Sequence, residues 1–162
     1  MYHALLSSTA LVTSALLAAS LSVSAAETNR KPAEVQVGRI DFGIFVQSPQ
    51  NQGEFRPANV VPLVVDQSYG WVAEMRTTME CVKVREELTL PEEPTTWGDP
   101  DPELKQSISP DGRTATTEVC LKPINGVIAR SWSVAPGDPR GAYTVKVWIE
   151  DQAPRVFRFG AR

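Results

Sequence analysis

Ile128-Ala-Arg-Ser-Trp-Ser-Val134 and Gly141-Ala-Tyr-Thr-Val-Lys-Val-Trp-Ile-Glu150 decide the fold. In the second run Tyr143, Val145, Val147 and Ile149 alternate with Thr144, Lys146, Trp148 and Glu150, the period-two pattern of a strand with one buried face. Between the runs, Asp138-Pro-Arg-Gly141 puts Asp first, Pro second and Gly fourth, the preferences of a type I turn, so two antiparallel strands are predicted. A shorter final run, Arg155-Val-Phe-Arg-Phe159, alternates again and closes the sheet with Phe157 and Phe159 inward. Arg130 falls in the inward phase between Ile128 and Trp132. An unpaired buried charge is not tolerated, so Arg130 must cap the end of the barrel or find a carboxylate, a structural role.

Towards the N-terminus the same style recurs. Val35 to Val46 reads as a strand with Val35 and Val37 in one phase and Ile40, Phe42, Ile44 and Val46 in the other. The phase slips at Gly38, which predicts a β-bulge or a sheet corner. Gln47 to Asn59 is polar and carries Pro49, Gly53 and Pro57, the composition of a loop. Val60 to Val65 is a short apolar strand whose Pro62 assigns it to an edge or to a start at Leu63. Tyr69, Trp71, Ala73 and Met75 alternate with polar or small neighbours, and Val82, Val84, Leu88 and Leu90 share one face of the next strand. From Pro91 to Arg113 the periodicity stops and five prolines gather with six acidic residues around Trp97, the mark of a long exposed loop. Strand character returns over Thr116 to Ile124, and Asn125-Gly126 predicts a hairpin that sets Val119 opposite Trp132 and Cys120 opposite Ser131.

The N-terminal 26 residues are a separate object. Leu5 to Ala26 contains no charged residue, is rich in Leu, Ala and Ser, and ends in Ser24-Ala25-Ala26, so a secretory signal peptide cut near Ala26 is expected. A transmembrane anchor is the alternative, opposed by the Ser and Thr content and by the lack of a basic flank. No Cys follows the apolar run to support a lipid anchor. Removing 26 of the 162 residues leaves about 136: a polar lead-in over residues 27–34 and one domain over 35–162, expected to be soluble without stable membrane insertion. The expected location is periplasmic or extracellular. With sixteen basic and nineteen acidic residues the net charge is −3, which argues against nucleic acid as a partner.

Cys81 and Cys120 are the only cysteines, and in an exported chain they point to a disulfide closing a 40-residue loop. Both lie in the polar phase of their strands, so the bridge is expected between neighbouring strands or at an edge rather than across the core. The sole histidine, His3, would leave with the leader, removing histidine-based general bases, nucleophiles and metal ligands together. No segment shows sustained helical periodicity, and the fold class is all-β: a two-sheet antiparallel sandwich, immunoglobulin-like, with a long acidic Pro-rich loop.

Asp66-Gln-Ser-Tyr-Gly70, then Trp132-Ser-Val-Ala-Pro-Gly-Asp-Pro-Arg-Gly-Ala-Tyr143, then Val156-Phe-Arg-Phe159 resemble a bacterial domain-of-unknown-function family of exported immunoglobulin-like proteins over most of residues 35–160. The resemblance implies an exported sandwich and carries no catalytic residues or cofactor with it. The disulfide and the acidic proline-rich loop depart from the family's pattern.

Two surface features are the candidates for function. Trp97 beside Asp99, Asp101 and Glu103 offers an aromatic face with oxygen donors for sugar hydroxyls or Ca²⁺, although the spacing matches no EF-hand loop. Its plainer reading is a solvated loop whose Trp packs back onto the sheet. Trp148 falls on the outward face with Thr144 and Lys146, where it joins a partner surface unless other residues cover it. Glu74, Glu80, Glu86 and Glu87 are expected to be solvent-exposed. The expected function is therefore non-catalytic binding of a protein or glycan in the cell envelope. The alternative is a carbohydrate-binding module or weak glycoside hydrolase that uses Trp97 or Trp148 with the loop acids.

Overall fold

The computed structural model describes residues 35–46, 53–99, 101 and 104–162, and among these no residue is helical. The expected leader and lead-in, 1–34, lie outside them. The described residues form ten strands in the order β1 Val35–Val46, β2 Glu54–Pro57, β3 Val60–Val61, β4 Ser68–Thr77, β5 Val82–Thr89, β6 Lys105–Ile108, β7 Thr114–Leu121, β8 Val127–Ser133, β9 Gly141–Ile149 and β10 Arg155–Ala161. One sheet has the order β2-β1-β4-β8 and the other β3-β10-β9-β5-β7-β6. All neighbours are antiparallel except β3 and β10.

The alternating runs place one side chain in two on the shared interior. Trp71 and Ala73 of β4, Val82 and Leu88 of β5, and Tyr143, Val145 and Val147 of β9 are buried. Each large apolar side chain buried this way contributes roughly 1.5–3 kcal/mol. Phe42 of β1 stacks on Phe159 and Phe157 of β10, with ring centroids 4.4 and 5.7 Å apart, so the aromatic run expected to close the sheet ties the two layers together. The predicted slip at Gly38 is present as a register shift between Val37 and Ile40. The Tyr143 hydroxyl donates to the Pro139 carbonyl at 2.7 Å, pinning the loop that enters β9.

Four local expectations are corrected. The turn after β8 is Ala135-Pro136-Gly137-Asp138, closed by the Asp138 amide donating to the Ala135 carbonyl, not Asp138 to Gly141. Pro second and Gly third, with Gly137 at φ 86°, is the type II pattern, and the Asp138 carboxylate accepts from the Ala135 amide. The flanking strands are not partners: β8 pairs with β4 in the smaller sheet and β9 with β5 and β10 in the larger one. The Asn125-Gly126 turn is real, but its ladder stops at the Ile124 and Val127 bridge. Pro123 has no N–H to extend it, and β7 pairs with β5 and β6 instead, so Val119 does not face Trp132 across a hairpin. Finally, β2 lies inside the stretch read as a loop over Gln47 to Asn59, and β6 inside the one over Pro91 to Arg113. Both are four-residue edge strands, too short and too polar for alternation to reveal.

The predicted edge strand near Val60 shortens to Val60–Val61, ended by Pro62. Cys81 and Cys120 form the disulfide, with Cα atoms 5.5 Å apart. Cys120 lies in β7 opposite Lys83 and Cys81 immediately precedes β5, so the bridge ties β7 to the start of its neighbour, as the polar phase of both cysteines requires.

Candidate functional site

The least expected side chain in the interior is Glu86. It sits on β5 between Val84 and Leu88, in their phase, and is 1% exposed, which overturns the expectation of solvent exposure. The opposite sheet supplies its partners. Trp71 Nε1 of β4 donates to Oε2 at 2.9 Å, Trp132 Nε1 of β8 donates to Oε1, and Arg130 Nε lies 4.0 Å from Oε2. Arg130 has thus found the carboxylate its inward position demanded. Burial, the strongest influence, pushes the Glu86 carboxyl up, while the two indole N–H groups and the Arg130 charge pull the other way. The signal in the sequence was phase alone: Glu86 occupies the core register of Val82, Val84 and Leu88.

Trp132 links this buried group to the surface. Its ring meets Trp97 edge-on, centroids 6.1 Å apart at 68°. Trp97 packs back against the core and is anchored by its indole N–H donating to the Gly112 carbonyl at 2.9 Å. The two rings border an open groove of about 480 Å³. One wall is the β8 strand and its continuation, from Arg130 to Pro136; the other is Thr96 to Asp99 with Asp101, Leu104 and Gln106. Leu88 and Thr117 also line it. Four carboxylates, Asp66, Asp99, Asp101 and Asp138, line the groove against one guanidinium, Arg130. Partial burial raises the Asp138 carboxyl, opposed by the Ala135 amide. Thr117 Oγ1 is buried without a hydrogen-bond partner among the described residues.

Trp97, Asp99 and Asp101 are therefore brought to one groove, together with Trp132 and Asp138, which the sequence did not single out. Glu103 lies outside the described residues. Trp148 is elsewhere: it lies on the outer face of the larger sheet, where the Arg85 guanidinium sits 4.7 Å from its ring centroid. Arg85 also pairs with Glu87 at 2.5 Å, and Glu87 with Lys146 at 3.6 Å. Trp148 is thus half covered within a ladder of charges and stands apart from Trp97. Among the described residues no group of three or more His, Cys, Asp or Glu side chains is placed to hold a metal ion.

Paired sheets with a tyrosine bonded to the loop before its strand, and β1, β4 and β8 facing β5, β9 and β10, define an immunoglobulin-like β-sandwich. A crystal structure of an immunoglobulin-like protein from Pseudomonas aeruginosa is similar, with a TM-score of 0.54 and 18% identity over 80% of this chain and 98% of that one. At that identity the likeness is one of fold. The PM0630 beta sandwich domain matches residues 40–162, and the chain belongs to that family. No curated protein matches it.

Proposed function

We propose that the protein is an exported, non-catalytic recognition module of the cell envelope and that its groove receives the partner. The observation that carries this reading is the groove itself: two tryptophan rings and four carboxylates on a rigid sandwich, open to solvent beside an outermost strand. The charge-free, apolar N-terminal stretch and the Cys81–Cys120 disulfide support export to an oxidising compartment. The buried carboxylate supports binding over hydrolysis, since Glu86 is 1% exposed and both its oxygens accept from indole N–H groups.

The test is a photo-crosslinking residue placed at exposed Thr96 in the groove and, as a control, at exposed Arg158 on β10. In intact cells the first position should yield a discrete adduct and the second should not. Equal yields, or no adduct from Thr96, would retire the groove. A glycan-binding role has one specific support, the placement of Trp97 beside Asp99 and Asp101. Titrating envelope glycans against tryptophan fluorescence decides it: a saturable change that Trp97→Ala abolishes and Trp148→Ala preserves would favour the sugar.

A further inference from the structure

We infer that β8 is a docking edge, and that an extended basic segment of a partner polypeptide adds to it as a strand along the groove. This rests on the groove being the recognition surface and names what it recognises.

Among the described residues the two sheets end in four outermost strands, β2, β8, β3 and β6. A free edge is a template for unwanted pairing, which proteins blunt with short strands, proline or lysine. Three of these edges carry such devices. β2 has four residues and ends in Pro57, β3 has two residues and is followed by Pro62, and β6 has four and begins with Lys105. β8 has seven residues, Val127–Ser133, with neither proline nor lysine. Its one protective feature is the inward charge of Arg130, and Glu86 answers that charge from within.

The free polar groups of β8 can be assigned. Met75 N–H donates to the Gly126 carbonyl at 2.8 Å and Val134 N–H to the Gln67 carbonyl at 3.0 Å. In an antiparallel ladder bonded residues alternate, so Ile128, Arg130 and Trp132 share the phase that faces β4. The N–H and C=O groups of Ala129, Ser131 and Ser133 then point away from β4, three exposed residues along one open edge. A polypeptide lying there would gain main-chain hydrogen bonds, and alternate side chains would enter the groove.

The groove selects the side chain. The carboxylates of Asp66, Asp99 and Asp138 outnumber the one guanidinium, Arg130, and favour a cation. The Trp97 and Trp132 rings suit the apolar stem and the charged head of a lysine or arginine. The Thr117 hydroxyl, buried at the groove lining and without a partner among the described residues, supplies an acceptor. A second copy pairing β8 to β8 would bring two sets of these carboxylates together, which charge repulsion opposes.

The experiment uses the purified oxidised protein and three capped heptapeptides: one alternating lysine with valine and threonine, one with glutamate for lysine, and the lysine peptide N-methylated at every residue. The lysine peptide should bind saturably by anisotropy and slow hydrogen exchange at Ala129, Ser131 and Ser133 by roughly tenfold or more. Ser131→Pro removes a donor on the free edge and leaves the β4 ladder intact, and Asp99→Lys reverses one exposed groove charge. Each should weaken binding by roughly tenfold, the loss of about one strong contact, with an unchanged circular dichroism spectrum. If the glutamate or N-methylated peptide binds as well as the lysine peptide, or if protection spares β8, strand addition is wrong. A concentration-dependent dimer that excludes the peptide would identify a second copy as the occupant and overturn the proposal. Crosslinking at Thr96 without any peptide binding would remove strand addition and keep the recognition role; loss of both would remove both.

Discussion

Replacing Glu86 by glutamine tests the buried network where its cost and its benefit meet. Glutamine presents one carbonyl and one NH₂ where two indole N–H groups and a guanidinium converge. One indole must then face a donor, and a buried donor left unsatisfied costs about 1–3 kcal/mol. Arg130 loses its counter-charge as well, though its side chain is 16% exposed and water takes up part of that loss. Against these, glutamine removes the penalty of holding a carboxylate in the core, which is large enough to push the Glu86 carboxyl up despite its donors. We expect a net destabilisation of about 2 kcal/mol at neutral pH, a fall of roughly 4–8 °C in Tm for a domain of this size. Guanidinium titration of the oxidised protein, followed by the fluorescence of Trp71 and Trp132, measures it. The pH dependence separates the opposing forces. With the folded carboxyl raised, the native state holds the Glu86 proton to higher pH than the unfolded chain does. The contribution of Glu86 is then full below the unfolded value of about 4.3 and lost as pH rises through the folded one. The stability difference between wild type and Glu86→Gln should therefore narrow with rising pH. A difference that widens would mean that the donors outweigh burial, and a variant within about 0.5 kcal/mol of wild type at every pH would refute the network's structural role.

Three further perturbations have defined outcomes. Reducing the Cys81–Cys120 bridge, which closes a 40-residue loop, should lower stability by about 4 kcal/mol in the chain-entropy description, read as a drop in the guanidinium midpoint with added reductant. At Gly70 an added Cβ would lie 2.0 Å from the Arg130 carbonyl oxygen, so Gly70→Ala should force β8 away from β4 and cost about 3 kcal/mol or more, with faster hydrogen exchange along β8. Tyr143→Phe removes the 2.7 Å bond to the Pro139 carbonyl and should cost about 1 kcal/mol while leaving the groove's binding unchanged, measurable by thermal melting beside a peptide titration.

The fold was legible wherever one face of a strand is buried and the other is not, because alternation then records the burial directly. Tyr143 to Ile149 and Tyr69 to Met75 are such runs, and their inward residues are the buried ones. What alternation cannot record is which sheet a strand joins. Ile128 to Trp132 reads the same whether its neighbour is β9 or β4, and only the Pro136-Gly137 and Pro123 breaks bear on the choice. The edges β2 and β6 failed for a related reason, since a strand exposed on most sides has no periodicity to show. For the site, Trp97 with Asp99 and Asp101 stood out by composition. Trp132 did not, because an inward tryptophan on a strand reads as core. Glu86 reads as exposed by its charge and as buried by its phase, and in a run of strictly alternating residues phase is the stronger constraint.

The core and the groove share a residue, and this limits what either can tolerate. Trp132 gives its N–H to Glu86 below and its ring edge to Trp97 above, so the rotamer that satisfies the buried carboxylate is the one that shapes the groove wall. Arg130 is bound in the same way, facing Glu86 while lining the groove. A purely apolar core would pack at least as well, since burying an ion pair seldom gains stability over hydrophobic residues of similar volume. What the acid contributes instead is direction: two indole N–H donors from two strands of the opposite sheet point at its two oxygens, with the Arg130 charge 4.0 Å away, which fixes β8 against β4 and β5 at the level of the groove. An outermost strand held that firmly presents its outward amides in a set geometry, and the proposed partner strand would bind without first having to order the edge it meets.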